Sequence, residues 1–283
     1  MNKIDQILER FGSLVPAPQI MPCLLQALGE EDADINQVVD LISFDPALTA
    51  KLLSLCNSTY FGFPTQVGSV SEAVQQLGFQ SVYRMVAATA TGRLLAPSHS
   101  TEGNPQDGLW KHSVLTAFAA QFIAEDISAE PGTMFTAGLL HDLGRMVLMR
   151  TFEADYARLM AEPGQTEAGF VARELSLFGM THAEVGSALL TRWKFIAPII
   201  SGVRFQNDPE GADNDSARRF AACLHLSNAL ALSVVRVQTD QIVAQIEQPV
   251  SLSIVNRSPQ DLTRYQYLIT ENMEFVEAMC RLN

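Results

Sequence analysis

Three of the five histidines stand in company that could do chemistry. His141 is followed directly by Asp142 inside the run Gly138-Leu139-Leu140-His141-Asp142-Leu143-Gly144. His112 lies at a predicted helix start in Trp110-Lys111-His112-Ser113, and His182 follows Thr181 and precedes Ala183-Glu184. An adjacent His-Asp pair on a helix offers an imidazole nitrogen and a carboxylate to one or two divalent ions. Ions so held polarise a phosphoryl oxygen and acidify a bound water. A complete site of this kind needs a further His and a further Asp from other helices. His112 supplies the first. The second has to come from the long apolar helix between Arg218 and Val235, and there stands Asn228, in His225-Leu226-Ser227-Asn228.

Asn in place of Asp replaces a full negative charge by a carbonyl oxygen, which favours a hard ion much less. Imidazole ligands still suit Zn, Fe or Ni. The set His112, His141 and Asp142 could therefore hold one divalent transition metal (Fe, Mn, Zn or Ni), and any turnover would depend on Asp142. With no metal, the same residues read as a hydrogen-bonded network packing helices together. Glu174 and Asp126 are the nearest further carboxylates. His182 reads as a side chain of a capping region packed under a loop, His225 as a core or surface residue one turn from Asn228, and His99 as solvated. Arg84, Arg93, Arg145 and Arg150 are dispersed and read as surface or ion-paired residues. Cys23, Cys56, Cys223 and Cys280 form no CxxC pair and read as buried, reduced thiols.

The elements that must position these residues are helical. Asp45-Pro46 reads as an N-cap with proline in the first turn, opening a helix through Leu55. Ser69 to Glu72 has capping-box spacing, with Gly78 at the end of that short helix. Helices are then predicted over Gln80 to Leu95, Trp110 to Asp126, Thr133 to Met149 and Glu167 to Phe178. A second capping box, Thr181 to Glu184, opens a helix to Trp193. The long helix Arg218 to Val235 follows a polar loop, and Ser258-Pro259 starts the last one, reaching Met279. Only Val250 to Val255 alternates weakly like a strand. Asn57-Ser58 with Tyr60-Phe61 reads as a structural turn, Asn57 taking the left-handed conformation after a helix end. The polar stretch Pro97 to Pro105 marks a boundary, giving a helical N-terminal half over 1–96, a linker over 97–109 and a second helical half over 110–283. The fold class is all-α, with short connections between antiparallel neighbours.

Composition narrows the partners. Of 283 residues, 47% are hydrophobic and 18% charged, which is a globular balance, and the net charge of −12 opposes general binding to nucleic acid or to an anionic membrane. The opening residues pattern as an amphipathic helix and not as a secretory leader, so a cytoplasmic location is expected.

These segments resemble, in order, the HDOD family within the HD superfamily of metal-dependent phosphohydrolases. The resemblance covers about residues 14–210. It rests on Val15-Pro16-Ala17-Pro18, Asp45 to Leu53, Cys56 to Phe61, Ala73 to Gly78, the GLLHDLG run, and Phe178 to Gly186. It implies an HD-like helical half joined to a helical N-terminal half, and a role in bacterial signal transduction without an activity common to the family. It places His112, His141 and Asp142 on the first three metal ligands of active HD enzymes and Asn228 on the fourth. The related cyclic di-nucleotide phosphodiesterases carry a His-His pair and a Gly-Tyr-Pro signature, and the corresponding stretch here, Phe205 to Gly211, lacks both histidines and the Tyr-Pro. His182 matches the histidine those enzymes use for an additional metal. Two functions follow from different classes: an interaction platform for other signalling proteins without turnover, or a metal-dependent phosphohydrolase acting on a phosphoester or nucleotide. A sensor in which a bound ligand shifts the two halves is a third.

Overall fold

In the computed structural model, which describes residues 3–12, 20–29, 35–95, 105–162, 166–235 and 250–280, all regular structure is helical. Helix α1 (Lys3–Gly12) is followed by α2 (Ile20–Gly29), α3 (Ile35–Ser43), α4 (Pro46–Cys56), α5 (Val70–Leu77) and α6 (Phe79–Leu95). Then come α7 (Pro105–Asp126), α8 (Pro131–Leu140), α9 (Leu143–Thr151), α10 (Glu153–Ala161), α11 (Glu167–Phe178), α12 (His182–Arg192) and α13 (Ala197–Phe205). A 3₁₀ turn at Pro209–Gly211 leads to α14 (Asp215–Val235), α15 (Val250–Ile254), α16 (Pro259–Glu271) and α17 (Met273–Cys280). The all-α class expected from the periodicity is the class observed.

Local signals act where the sequence places them. Asp45 caps α4, its carboxylate accepting from the Ala47 and Leu48 amides, and Thr181 and Glu184 form a complete capping box on α12. The box predicted at Ser69 is half made: the Ser69 hydroxyl accepts from Glu72 N, while Glu72 Oε2 accepts from Gly68 N. Asn57 ends α4 in an ordinary conformation (φ −87°) and not a left-handed one. It works through its carboxamide, which donates to Leu53 O and Val67 O and accepts from Val67 N, tying residues 57 and 67 together.

Four expectations are corrected. The helix predicted over Thr133 to Met149 is two helices, broken at His141-Asp142. Its last helix to Met279 divides at Asn272, whose side-chain amide donates to Leu268 O. Val250–Ile254 is helical: among the described residues no strand is present to pair with it, and a helix brings Leu252 and Val255 to the core together. Cys23 is exposed, unlike the buried Cys56 and Cys223. Val15 to Pro18, His99 and most of the polar stretch lie outside the described residues, although α7 already starts at Pro105.

One buried apolar cluster runs from Ile7 to Met279. Helices α2 to α6 pack on one another, and α6 also lies against α7 and α8. Its small stretch Ala87-Ala88-Thr89-Ala90 is buried, and the Tyr83 hydroxyl bonds Thr136 on α8. On the far side of α7 and α8 pack α13 and α14, while α12 bridges α9 and α13 and α1 lies on α9 and α12. Among the described residues no helix is long and apolar enough to cross a membrane.

Candidate metal centre

The two glycines of GLLHDLG explain how the site is assembled. A Cβ at Gly138 would stand 2.5 Å from Ala117 Cα, so α8 lies directly on the backbone of α7, the helix that carries His112. A Cβ at Gly144 would stand 1.9 Å from His182 O, so α9 lies on the first turn of α12. Between these contacts sits the break at His141-Asp142. The His141 carbonyl, which a continuous helix would give to Arg145 N, instead accepts from Gln206 Nε2 at 2.9 Å, and Arg145 N turns to Asp142 O. A side chain inserted from the end of α13 thus opens the ladder and points His141 and Asp142 inward.

His112 Nε2 and His141 Nε2 face each other at 3.2 Å, and Asp142 Oδ2 lies 3.4 Å from the second and 3.9 Å from the first. Ligand atoms about 2.0–2.2 Å from one ion stand about 3.0–3.6 Å apart, so two of these three edges fit a single cation and the third is slightly long. His141 Nδ1 donates to Gly138 O at 2.8 Å, which leaves its Nε2 lone pair toward the centre. The donor set fits a divalent transition ion. Asn228 is buried on α14, which packs along α7, and its Oδ1 has no hydrogen-bond partner among the described residues.

Burial, with the His141 ring beside it, lowers the His112 pKa to about 4. Burial lowers His141 as well, against the pull of Asp142 and the Gly138 carbonyl. Both rings are therefore neutral, the form that ligates metal. Protein stripped of metal is expected to lose stability as pH falls from about 6.5 to about 4. The unfolded ring takes a proton near the upper value and the folded ring only near the lower, so the contribution is complete above 6.5 and vanishes through that window. It amounts to on the order of 3 kcal/mol for His112. Urea midpoints at about pH 7 and about pH 4.5 for wild type and His112→Gln measure it. Equal pH dependence in the two proteins would refute it.

Asp142 and His182 open onto a second group of charges. Burial pushes the Asp142 carboxyl up, but Arg145 and the three histidines carry it well below the usual carboxylate range. Its Oδ1 accepts from Arg145 Nε at 2.9 Å, and Arg145 also bonds Glu167. His182 is fully buried, with Nε2 3.7 Å from Asp142 Oδ1 and 3.8 Å from Glu167 Oε1. Behind it, Glu174 Oε2 accepts from His182 Nδ1 at 2.7 Å and from His182 N at 2.9 Å, and Glu174 Oε1 accepts from the Tyr156 hydroxyl at 2.6 Å. Burial pulls His182 down, yet Glu174 and Asp142 leave it raised overall.

The structure thus gathers His112, His141 and Asp142, and brings His182 against the same carboxylate. Glu174 stands behind His182 and not on the ion position. Asp126 lies about 21 Å along α7 from His112 and bonds Tyr265 and Arg264. His225 is buried, its Nδ1 2.9 Å from Gln206 O. Arg145, Glu167, Gln206 and Asn207 belong to the site and were not expected there. Arg145 had a local signal, three residues past Asp142 on one helix. Gln206 and Asn207 lie in the stretch that the resemblance sets against a His-His pair, while Glu167, on a separate helix, had no signal.

The family model described as the HDOD domain matches residues 14–209. A candidate phosphohydrolase of Shewanella amazonensis SB2B has a similar crystal structure, with a TM-score of 0.73 and 24% identity over 98% of this chain and 97% of that one. A candidate signal-transduction protein of Marinobacter aquaeolei VT8 gives a TM-score of 0.76 at 21% identity, over 97% of this chain and 61% of that one. At these identities the likeness is one of fold. A protein of Treponema pallidum (strain Nichols) is 26% identical over 204 residues, which is 71% of this chain and only 39% of that protein's length. With a family match over most of its length and the His-Asp centre in place between α8 and α9, this chain belongs to the HDOD family.

Proposed function

We propose that the chain is a regulatory, signal-transducing protein that serves as an interaction platform for other signalling proteins, holds one divalent transition ion and does not turn over substrate. The observation that carries the reading is the engagement of Asp142. Its Oδ1 is held by Arg145 at 2.9 Å in an interior where His141, Asp142 and His182 are at most 2% exposed. His112, His141 and Asp142 would hold the ion, which when bound supplies a Lewis acid for a water or phosphoryl oxygen. The rest of the site works against turnover. Asn228, which the resemblance sets at the fourth ligand, carries no charge, Gln206 is committed to the His141 carbonyl, and Asn207 Nδ2 lies 3.3 Å from His182 Nε2. What remains is a rigid junction of α7, α8, α9 and α12. The name of the Marinobacter relative supports the signalling role.

The second reading, a metal-dependent phosphohydrolase, draws on the converging His112–His141–Asp142 set and the name of the Shewanella relative. Elemental analysis of protein purified without chelators is expected to find about one ion per chain, lost in both His141→Ala and Asp142→Ala. Phosphomonoesters and cyclic nucleotides with added Mn²⁺, Mg²⁺ or Fe²⁺ are expected to remain intact. Turnover abolished by Asp142→Ala would establish the hydrolase instead. Wild type free of metal after incubation with Fe²⁺, Mn²⁺ and Zn²⁺ would remove the ion from the platform reading.

A further inference from the structure

The two oxygens of Asp142 face different neighbourhoods. Oδ2 looks at His112 and His141, while Oδ1 looks at Arg145 and His182. On that second side Asp142 Oδ1 and Glu167 Oε1 each accept from one guanidinium, whose carbon lies 4.6 Å over the Phe170 ring, and the same two oxygens lie 3.7 and 3.8 Å from His182 Nε2. Two carboxylates and an imidazole, with carboxylate oxygens 3.7 and 3.8 Å from the ring nitrogen, form the donor chemistry that holds Mn, Fe or Zn. They carry a charge that must be balanced in the interior. Here the balancing cation is covalently tethered three residues from Asp142.

We infer that Arg145 is the resident cation of a second ion position, so that this chain takes one divalent ion at His112–His141–Asp142 and its own side chain keeps a second one out. The inference rests on the proposed ion site only through Asp142, which the two positions share. A tethered guanidinium is always present, whereas a free ion must be recruited from dilute solution and dehydrated. It also satisfies both carboxylates at once through its planar fork. The consequence for chemistry is direct. In two-metal sites a pair of ions about 3.5–4 Å apart clamps the attacking and leaving oxygens of a displacement, and that arrangement requires the place Arg145 fills. Arg145 is thus a positioning residue that sets the number of ions, and the site is a one-ion site by its sequence.

Arg145→Met keeps an apolar stem against Phe170 and removes the charge, leaving Asp142, Glu167 and His182 around an uncompensated space. After incubation with Zn²⁺ or Mn²⁺ and dialysis, elemental analysis is expected to find about one more ion per chain than in wild type. Arg145→Lys, which keeps a cation, is expected to match wild type, and Arg145→Met with His182→Ala to lose the added ion. The increment between variant and wild type tests Arg145, while the wild-type content itself tests the proposed ion site, so the two can fail separately. A folded Arg145→Met with wild-type metal content overturns the inference. Should that variant fold poorly in chelator, thermal melting with and without Zn²⁺, repeated on Arg145→Gln, decides. Cooperative melting restored by the ion supports the inference, and melting indifferent to the ion in both variants overturns it.

Discussion

Gly144→Ala is expected to destabilise the protein by about 3 kcal/mol or more, or to prevent folding, although it adds one methyl group. The new Cβ would sit 1.9 Å from His182 O, 2.7 Å from His182 C and 2.8 Å from Gly186 N, all of them backbone atoms. No rotamer change relieves such a contact, so α9 and α12 must move apart by more than an ångström. Side-chain overpacking costs about 1–3 kcal/mol, and a backbone obstruction stands at or beyond the upper end. Against a typical stability of about 5–15 kcal/mol this is a large fraction. The same displacement carries Asp142 away from His182, so the charge network loosens with the core. Gly186→Ala is the comparison, since its Cβ meets Gly144 N and Val203 Cγ1 at 3.3 Å and asks for a shift of only a few tenths of an ångström. Thermal melting separates the two. A Gly144→Ala melting temperature within about 2 °C of wild type would show that this glycine does not set the spacing of α9 and α12.

Glu174→Ala is expected to cost about 3–5 kcal/mol. The carboxylate is fully buried and accepts from His182 N, His182 Nδ1 and the Tyr156 hydroxyl, and all three donors would be stranded without water. Burial pushes the Glu174 pKa up, but His182 and Arg145 hold it lowered overall. Its contribution is therefore present above the ordinary carboxylate range and is lost as pH falls through the folded value. His182 has the opposite sign: being raised, it contributes fully below its unfolded pKa of 6.5 and loses that contribution as pH rises through the folded value. Removing Glu174 takes away the largest influence that raises His182, so the ring should titrate lower in the variant. Urea unfolding and the His182 ring resonances followed against pH measure both effects. Glu174→Gln, which keeps the shape and one acceptor, is expected to lose less. A loss under about 1 kcal/mol in Glu174→Ala would mean that the interaction is exchanged for water.

The helices were legible because their signals are local. Apolar periodicity, the Asp45-Pro46 start and the Thr181–Glu184 capping box each depend on residues within a turn of one another, and the all-α class follows from their sum. The His-Asp pair and His112 were legible as residue types suited to a metal. Their family identity was legible too, because several segments occur in the expected order. What the chain could not reveal by itself is set by contacts between distant residues. The break that turns His141 and Asp142 inward depends on Gln206, which bonds a carbonyl 65 positions earlier in the chain. The role of Glu174 depends on a fold that brings α11 behind the first turn of α12, and the roles of Glu167 and Asn207 on a common approach to His182. Arg145 reads as an ordinary surface or ion-paired arginine, because a spacing of three residues from Asp142 does not tell whether the pair faces water or the interior. Only the packing of α9 on α12, as close as Gly144 permits, buries that pair and makes its charge count, since an ion pair that is weak in water becomes decisive where no solvent is available to replace it.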